Sequence, residues 1–140
     1  MPPATIESVF ASINEAYHYQ PEAPGRDEWR TPAEFRAAGG GDCEDFAIAY
    51  WYALRHTAGR ARLAWCWRNG RQAHMVCLHF APGENDPLVL DVAVDAVCRL
   101  SERPDLTIQF ELDADGFYWK GKKYPVEMSK QWANLQSRIK

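Results

Sequence analysis

The sequence predicts an α+β fold with an antiparallel sheet, and three observations carry that expectation. Residues 42–59, DCEDFAIAYWYALRHTAG, place a capping aspartate and an acidic first turn ahead of an apolar body and a closing glycine, the pattern of a helix. Residues 61–80, ARLAWCWRNGRQAHMVCLHF, are two apolar runs joined by Asn69 and Gly70, the strongest short-range hairpin signal. DPLVLDVAV, LTIQFELD and GFYWKG then follow as a third, fourth and fifth strand, the last two paired through a turn at 113–116.

Each remaining element has its own local reason. Ile6, Val9, Phe10, Ile13 and Tyr17 recur at helical spacing and predict an amphipathic helix over 4–17. The stretch YQPEAPGRDEWRTP is a loop by its Pro, Gly and charge, and Thr31 followed by Pro32 is an N-cap and first-turn pair for a brief helix through Phe35 and Arg36. Gly39, Gly40 and Gly41 end it, and Asp42 then caps the main helix with Cys43 as its first residue. If Asn69 and Gly70 alone form the hairpin loop, Arg68 faces Arg71, Trp65 faces His74 and Cys66 faces Ala73, and Cys66 is out of disulfide reach of Cys77. A short helix over about 128–138 closes the chain.

Length and composition narrow the function classes. A chain of 140 residues fits one domain over 1–140, and with 46% apolar and 13% aromatic residues it has the material for a real core. Sixteen basic and nineteen acidic residues, with no dense Lys/Arg cluster, argue against nucleic acid as a partner. No apolar run approaches a membrane span of about 18 residues. The start MPPATIESVFASINEAYHY lacks the basic and apolar regions of a signal peptide. As it stands the chain is expected in the cytoplasm, or in the periplasm if an export signal has been removed from it. Cysteines 43, 66, 77 and 98 show no CxxC spacing, which argues against structural zinc.

Cys43 is the candidate nucleophile. The first turn of a helix offers orphan N–H groups and the positive end of the dipole, a setting that stabilises a thiolate. A base must lie within hydrogen-bond reach and be oriented by a third group. His56 is too far along the helix and His18 precedes a loop, which leaves His74 and His79 on opposite faces of one strand. The face packed on the Cys43 helix should supply the base; His74 is preferred, with Trp65 as the neighbour that shields it. Asp91, a carboxylate inside an apolar run, is costly there unless paired and so completes a Cys43, His74, Asp91 triad.

Asp42, Glu44 and Asp45 exceed what capping needs, and their charge should raise the thiol pKa unless a cation offsets it. Carboxylates beside glycines that can turn their carbonyls make a candidate Ca²⁺ site, against the plainer reading of a solvated acidic turn.

Taken together, TPAEF, GGGDCEDFAIA, AHMVCL, DPLVLD and FELDADGFYW resemble the LapG-like bacterial transglutaminase-like cysteine peptidases, from about Trp29 to Trp119. The resemblance implies a papain/transglutaminase-like core, with a nucleophile-bearing helix packed on an antiparallel sheet. It implies Cys43, His74 and Asp91 as the triad and calcium held by Asp42, Glu44 and Asp45. It further implies a protein substrate such as a surface adhesin and a regulatory protein, a membrane receptor for a cyclic dinucleotide. The resulting expectation is a calcium-dependent cysteine endopeptidase working through an acyl-enzyme. Its oxyanion hole would use the Cys43 N–H and, as second donor, a group from the preceding loop such as Trp29. Amine transfer of the transglutaminase type and a catalytically silent calcium-dependent binding module are the alternatives.

Overall fold

Capping chemistry sets where the helices begin in the computed structural model, which describes residues 3–21 and 28–139. Part of the loop expected before Thr31 lies outside those residues. Helix α1 (Pro3–Ala16) leads into a two-residue strand β1 (His18–Tyr19). Helix α2 (Pro32–Ala38) starts on a reciprocal cap between Thr31 and Glu34 and ends on Gly39 in the left-handed region. A second short strand, β2 (Gly40–Gly41), pairs in parallel with β1 and delivers the chain to α3 (Cys43–Leu54). That helix stops at Leu54 because Thr57 N–H and Oγ1–H both bond the Leu54 carbonyl, at 3.0 and 2.6 Å. Gly59, expected as the stop, instead turns the chain into the sheet.

Strands β3 (Arg60–Arg68), β4 (Gln72–Phe80), β5 (Leu88–Leu90), β6 (Cys98–Arg99), β7 (Leu106–Leu112), β8 (Phe117–Trp119) and β9 (Lys122–Tyr124) form an antiparallel sheet in the order β6-β5-β4-β3-β7-β8-β9. Helix α4 (Lys130–Arg138) closes the chain. Strand β9 lies just beyond the expected fifth strand GFYWKG, whose last two residues, Lys120 and Gly121, both take positive φ and reverse the chain into it.

Alternation along the strands divides the core. Leu63, Met75, Cys77, Leu90 and Leu112 face α3, where they meet Phe46, Tyr50, Trp51 and Leu54. Ala64, Cys66, Val76, Leu78 and Val89 form a smaller cluster on the opposite face. Trp132 of α4 is fully buried and packs edge-on against Trp51 at 4.9 Å.

The hairpin register differs from expectation by one residue. Asn69 and Gly70 have the positive φ values of the expected turn, but the ladder resumes at Arg68 opposite Gln72 and leaves Arg71 outside it. The Asn69 N–H is taken by the Asp105 carbonyl at 2.8 Å, so the tip is tied to the segment entering β7. Cys66 therefore faces His74, and Trp65 faces Met75. Trp65 lies on the other side of the sheet from His74, stacked on Phe110 at 5.7 Å, and is not its shield.

Candidate active site

The glycines before the helix are there for close approach. Gly40 has φ 146°, and a Cβ on it would run into the His18 carbonyl oxygen; one on Gly41 would run into the Asp45 carboxylate. Their carbonyls are committed: Gly39 O accepts His18 N–H at 2.9 Å, Gly41 O accepts Gln20 N–H at 2.8 Å, and Gly40 O accepts Arg30 Nη1 at 2.6 Å. The glycines thus fasten β1 beside the start of α3 instead of turning oxygens toward an ion.

Asp42 and Asp45 cap each other. Asp42 Oδ1 accepts Asp45 N–H at 3.2 Å and Asp45 Oδ2 accepts Asp42 N–H at 3.1 Å, while Asp45 Oδ1 accepts Arg30 N–H at 2.8 Å. Burial, with the charge of Asp42 added, raises the Asp45 carboxyl to about 6 despite the Arg30 N–H. Glu44 turns to the thiol, whose Sγ lies 3.8 Å from Oε1. The three carboxylates do not converge, and among the described residues no group of three His, Cys, Asp or Glu side chains is placed to hold a metal ion. As oxygen donors, the carboxylates of Asp42, Glu44 and Asp45 are of the chemical type that calcium takes.

Cys43 is half-buried at the first position of α3, where Met75 N–H of β4 points at its sulfur. Burial, then Glu44, push the thiol up to about 12, with Asp42 and Asp91 adding to the rise and Met75 opposing it. At neutral pH this is a thiol. Burial is thus the main cause, and of the three carboxylates anticipated to raise the thiol, Glu44 and Asp42 contribute.

His74 and Asp91 are buried, at 5% and 0% exposure. His74 Nε2 lies 2.7 Å from Asp91 Oδ1, which also accepts Ala93 N–H at 2.9 Å. Burial raises the Asp91 carboxyl, but the bond and charge of His74, the Ala93 N–H and the Arg103 guanidinium outweigh it and hold the group below the usual carboxylate range. With Nε2 engaged, His74 has Nδ1 left for a reacting group. Cys43 and His74 line one cleft of about 310 Å³, together with Tyr19, Arg68, Gln72, Ala73, Val92 and Ala93.

Of the four histidines, His74 is thus the one beside Cys43, although the face criterion pointed elsewhere. Helix α3 packs on the face of β4 that carries Met75, Cys77 and His79. His79 sits at the far end of α3, with Nε2 3.0 Å from Thr57 Oγ1. His74 lies on the opposite face near the start of β4, and Cys43 meets that strand at Met75, the residue after His74. His18 and His56 are exposed and outside the cleft.

Trp29 is not in this cleft. It is buried at 6% exposure in the helical core, with its carbonyl accepting Arg138 Nη2 at 2.8 Å. Tyr19, placed by the β1–β2 pairing, stands at the thiol instead, and burial followed by the charge of Cys43 raises its hydroxyl pKa. No local pattern marks Tyr19 or Arg103 as part of the site.

No protein-family model matches the sequence, and no curated protein matches it. Solved structures do. The chain is similar to Legionella pneumophila LapG in an EGTA-treated form, at 28% identity and a TM-score of 0.87 over 98% of this chain and 78% of that one. It is similar to the calcium-bound form at 29% identity and a TM-score of 0.83 over 98% and 80%. A third LapG structure aligns at 29% identity and a TM-score of 0.85 over 98% and 78%. These likenesses support the LapG-like transglutaminase-like cysteine peptidase family and its α+β core.

Proposed function

We propose that this chain, LapG-like over 98% of its length, is a cysteine endopeptidase that cleaves a protein substrate through an acyl-enzyme. One observation carries the reading: Cys43 and His74 share a cleft while His74 Nε2 is held by buried Asp91 at 2.7 Å. Because Cys43 is a thiol at rest, proton transfer to His74 accompanies attack. Sγ bonds the scissile carbonyl carbon as its proton passes to Nδ1. The Cys43 N–H, an orphan donor of the first helical turn, faces the developing oxyanion. The imidazolium then protonates the leaving amine as the C–N bond breaks, and water activated by His74 releases the acid and restores the thiol.

Asp42, Glu44 and Asp45 are the residues that would hold calcium, as the calcium-bound state of the similar LapG structure suggests. A bound cation would offset the negative charge that pushes the thiol up. A surface adhesin as substrate and a regulatory protein as partner extend the proposal along the same resemblance.

The test is turnover of a peptide library by the full chain with calcium, read by mass spectrometry, for wild type and Cys43→Ala. Defined cleavage by wild type alone supports the reading. Transfer of an added amine to the new C-terminus in place of hydrolysis would make the chain a transglutaminase. No product, with calcium still bound, would leave a binding module.

A further inference from the structure

The carboxylate that orients His74 has a second oxygen, and it is not free. Asp91 Oδ2 accepts Nη2 of Arg103 at 3.0 Å. Arg103 also forks onto Asp105, with Nε 3.0 Å from Oδ1 and Nη2 3.0 Å from Oδ2. The arginine is itself only 8% exposed. Its backbone is fixed as well: Arg103 N–H bonds the Leu100 carbonyl at 2.9 Å and its own carbonyl accepts Leu106 N–H at 3.1 Å. The same turn grips the tip of the β3–β4 hairpin, because the Asp105 carbonyl accepts Asn69 N–H at 2.8 Å. The guanidinium is thus held by the Asp105 fork on a backbone fixed by its own turn, anchors that do not involve Asp91.

We propose that Arg103 is a positioning residue of the reaction centre: it anchors and neutralises Asp91, so that the other Asp91 oxygen holds His74 Nε2–H and His74 presents Nδ1 to Cys43. The consequence for turnover rests on the peptidase reading; the orientation of His74 does not. A fully buried carboxylate without its cation has two ways to lower its energy. It can take up a proton, after which it can turn its O–H toward His74, or it can keep His74 as a permanent imidazolium. Either state removes the base. With Arg103 present, Asp91 is ionised and compensated, and a neutral imidazole with its proton on Nε2 is the complementary partner.

The experiment uses the full chain labelled with ¹⁵N-histidine, as wild type, Arg103→Met and Arg103→Lys. The ring resonances of His74 report which nitrogen carries the proton and whether Nε2–H remains hydrogen-bonded. Chemical unfolding establishes the folded fraction of each variant, and kcat and KM are measured on a peptide that the wild type cleaves. In folded Arg103→Met the Nε2–H resonance shifts or is lost, and kcat falls about 10- to 100-fold while KM changes by less than about 3-fold. Arg103→Lys keeps the charge but cannot bridge both carboxylates, so it recovers part of kcat and part of the resonance position. An unchanged His74 spectrum and unchanged kcat in folded Arg103→Met overturn the proposal, as does a kcat loss that only tracks the unfolded fraction. If the methionine variant does not fold, Arg103→Lys decides: wild-type spectrum and kcat there overturn the proposal, and a moved resonance with reduced kcat supports it. If wild type cleaves no peptide, the peptidase reading falls alone. The spectrum still decides the positioning, for it if the His74 resonance moves and against it if it does not.

Discussion

Replacing Asp91 with Asn removes one charge and almost no volume from a position that is 0% exposed. Asp91 accepts three hydrogen bonds, from His74 Nε2 at 2.7 Å, Ala93 N–H at 2.9 Å and Arg103 Nη2 at 3.0 Å. An amide cannot accept at both ends. With its NH₂ toward Arg103 it sets donor against donor, and with its NH₂ toward His74 it forces the imidazole proton onto Nδ1, the nitrogen that should receive the thiol proton. Breaking a buried pair costs about 3–5 kcal/mol. Asp105, 30% exposed, still compensates Arg103 in part, so the expected loss of stability is at the low end, about 2–3 kcal/mol. The wrong tautomer should lower kcat/KM about 10³- to 10⁴-fold, as it does when the acid of a hydrolase triad is made an amide. Urea unfolding at pH 7 and peptide kinetics at a fixed folded fraction measure the two separately. A kcat/KM within about 3-fold of wild type in folded Asp91→Asn would refute the orienting role, since loss of the tautomer leaves no smaller value.

The remaining expectations concern the scaffold and the acidic cap. Gly40→Ala places a methyl group against the His18 carbonyl at a φ of 146°; it should destabilise by about 2–4 kcal/mol and displace Tyr19 from the cleft, read as a lower unfolding midpoint and altered Tyr19 resonances. Trp132→Ala empties a fully buried site whose Nε1–H bonds the Asp113 carbonyl at 2.8 Å, and calorimetry should show a loss of about 3–5 kcal/mol. Asp45, raised to about 6 by burial and by Asp42, retains its proton in the folded chain at a pH where the unfolded chain, titrating near about 3.9, has lost it. Its contribution is therefore fully present below about pH 4 and is lost as pH rises through about 6, so in chelator the Tm should increase from pH 7 to pH 5. Calcium should raise the Tm at pH 7 and do so less at pH 5, where protons compete for the same oxygens; a calcium increment that grows at pH 5 would contradict this.

Local chemistry was readable and long-range partners were not. Thr31 and Asp42 announced their helices because a cap needs only residues three apart, and both reciprocal caps are present. Asp91 stood out because a carboxylate in an apolar run must find a partner, and that partner is His74. The hairpin followed from Asn69 and Gly70, but its register turned on a bond from Asn69 to Asp105, thirty-six residues away by number, which no local pattern encodes. Arg103 is illegible locally for the same reason, since its bond to Asp91 forms only where the turn before β7 meets the end of β5. Trp29 stands in the loop before the motif, yet an indole that large is needed in the core between the helices. Gly39 was readable as the break that it is, but Gly40 and Gly41 were not readable as contacts, because their use is to let β1 and the Asp45 carboxylate approach.

Site-resolved alkylation of the folded chain tests most directly whether Cys43 is a nucleophile driven by His74. Cys66 and Cys77 are fully buried and react slowly for that reason alone, so half-buried Cys98 is the internal reference. With calcium near pH 7.5, the mechanism predicts that Cys43 is modified at least about 10-fold faster than Cys98, slows in chelator, and falls to the reference rate in His74→Ala. A Cys43 rate no faster than that of Cys98 with calcium present, and unchanged in His74→Ala, would contradict it.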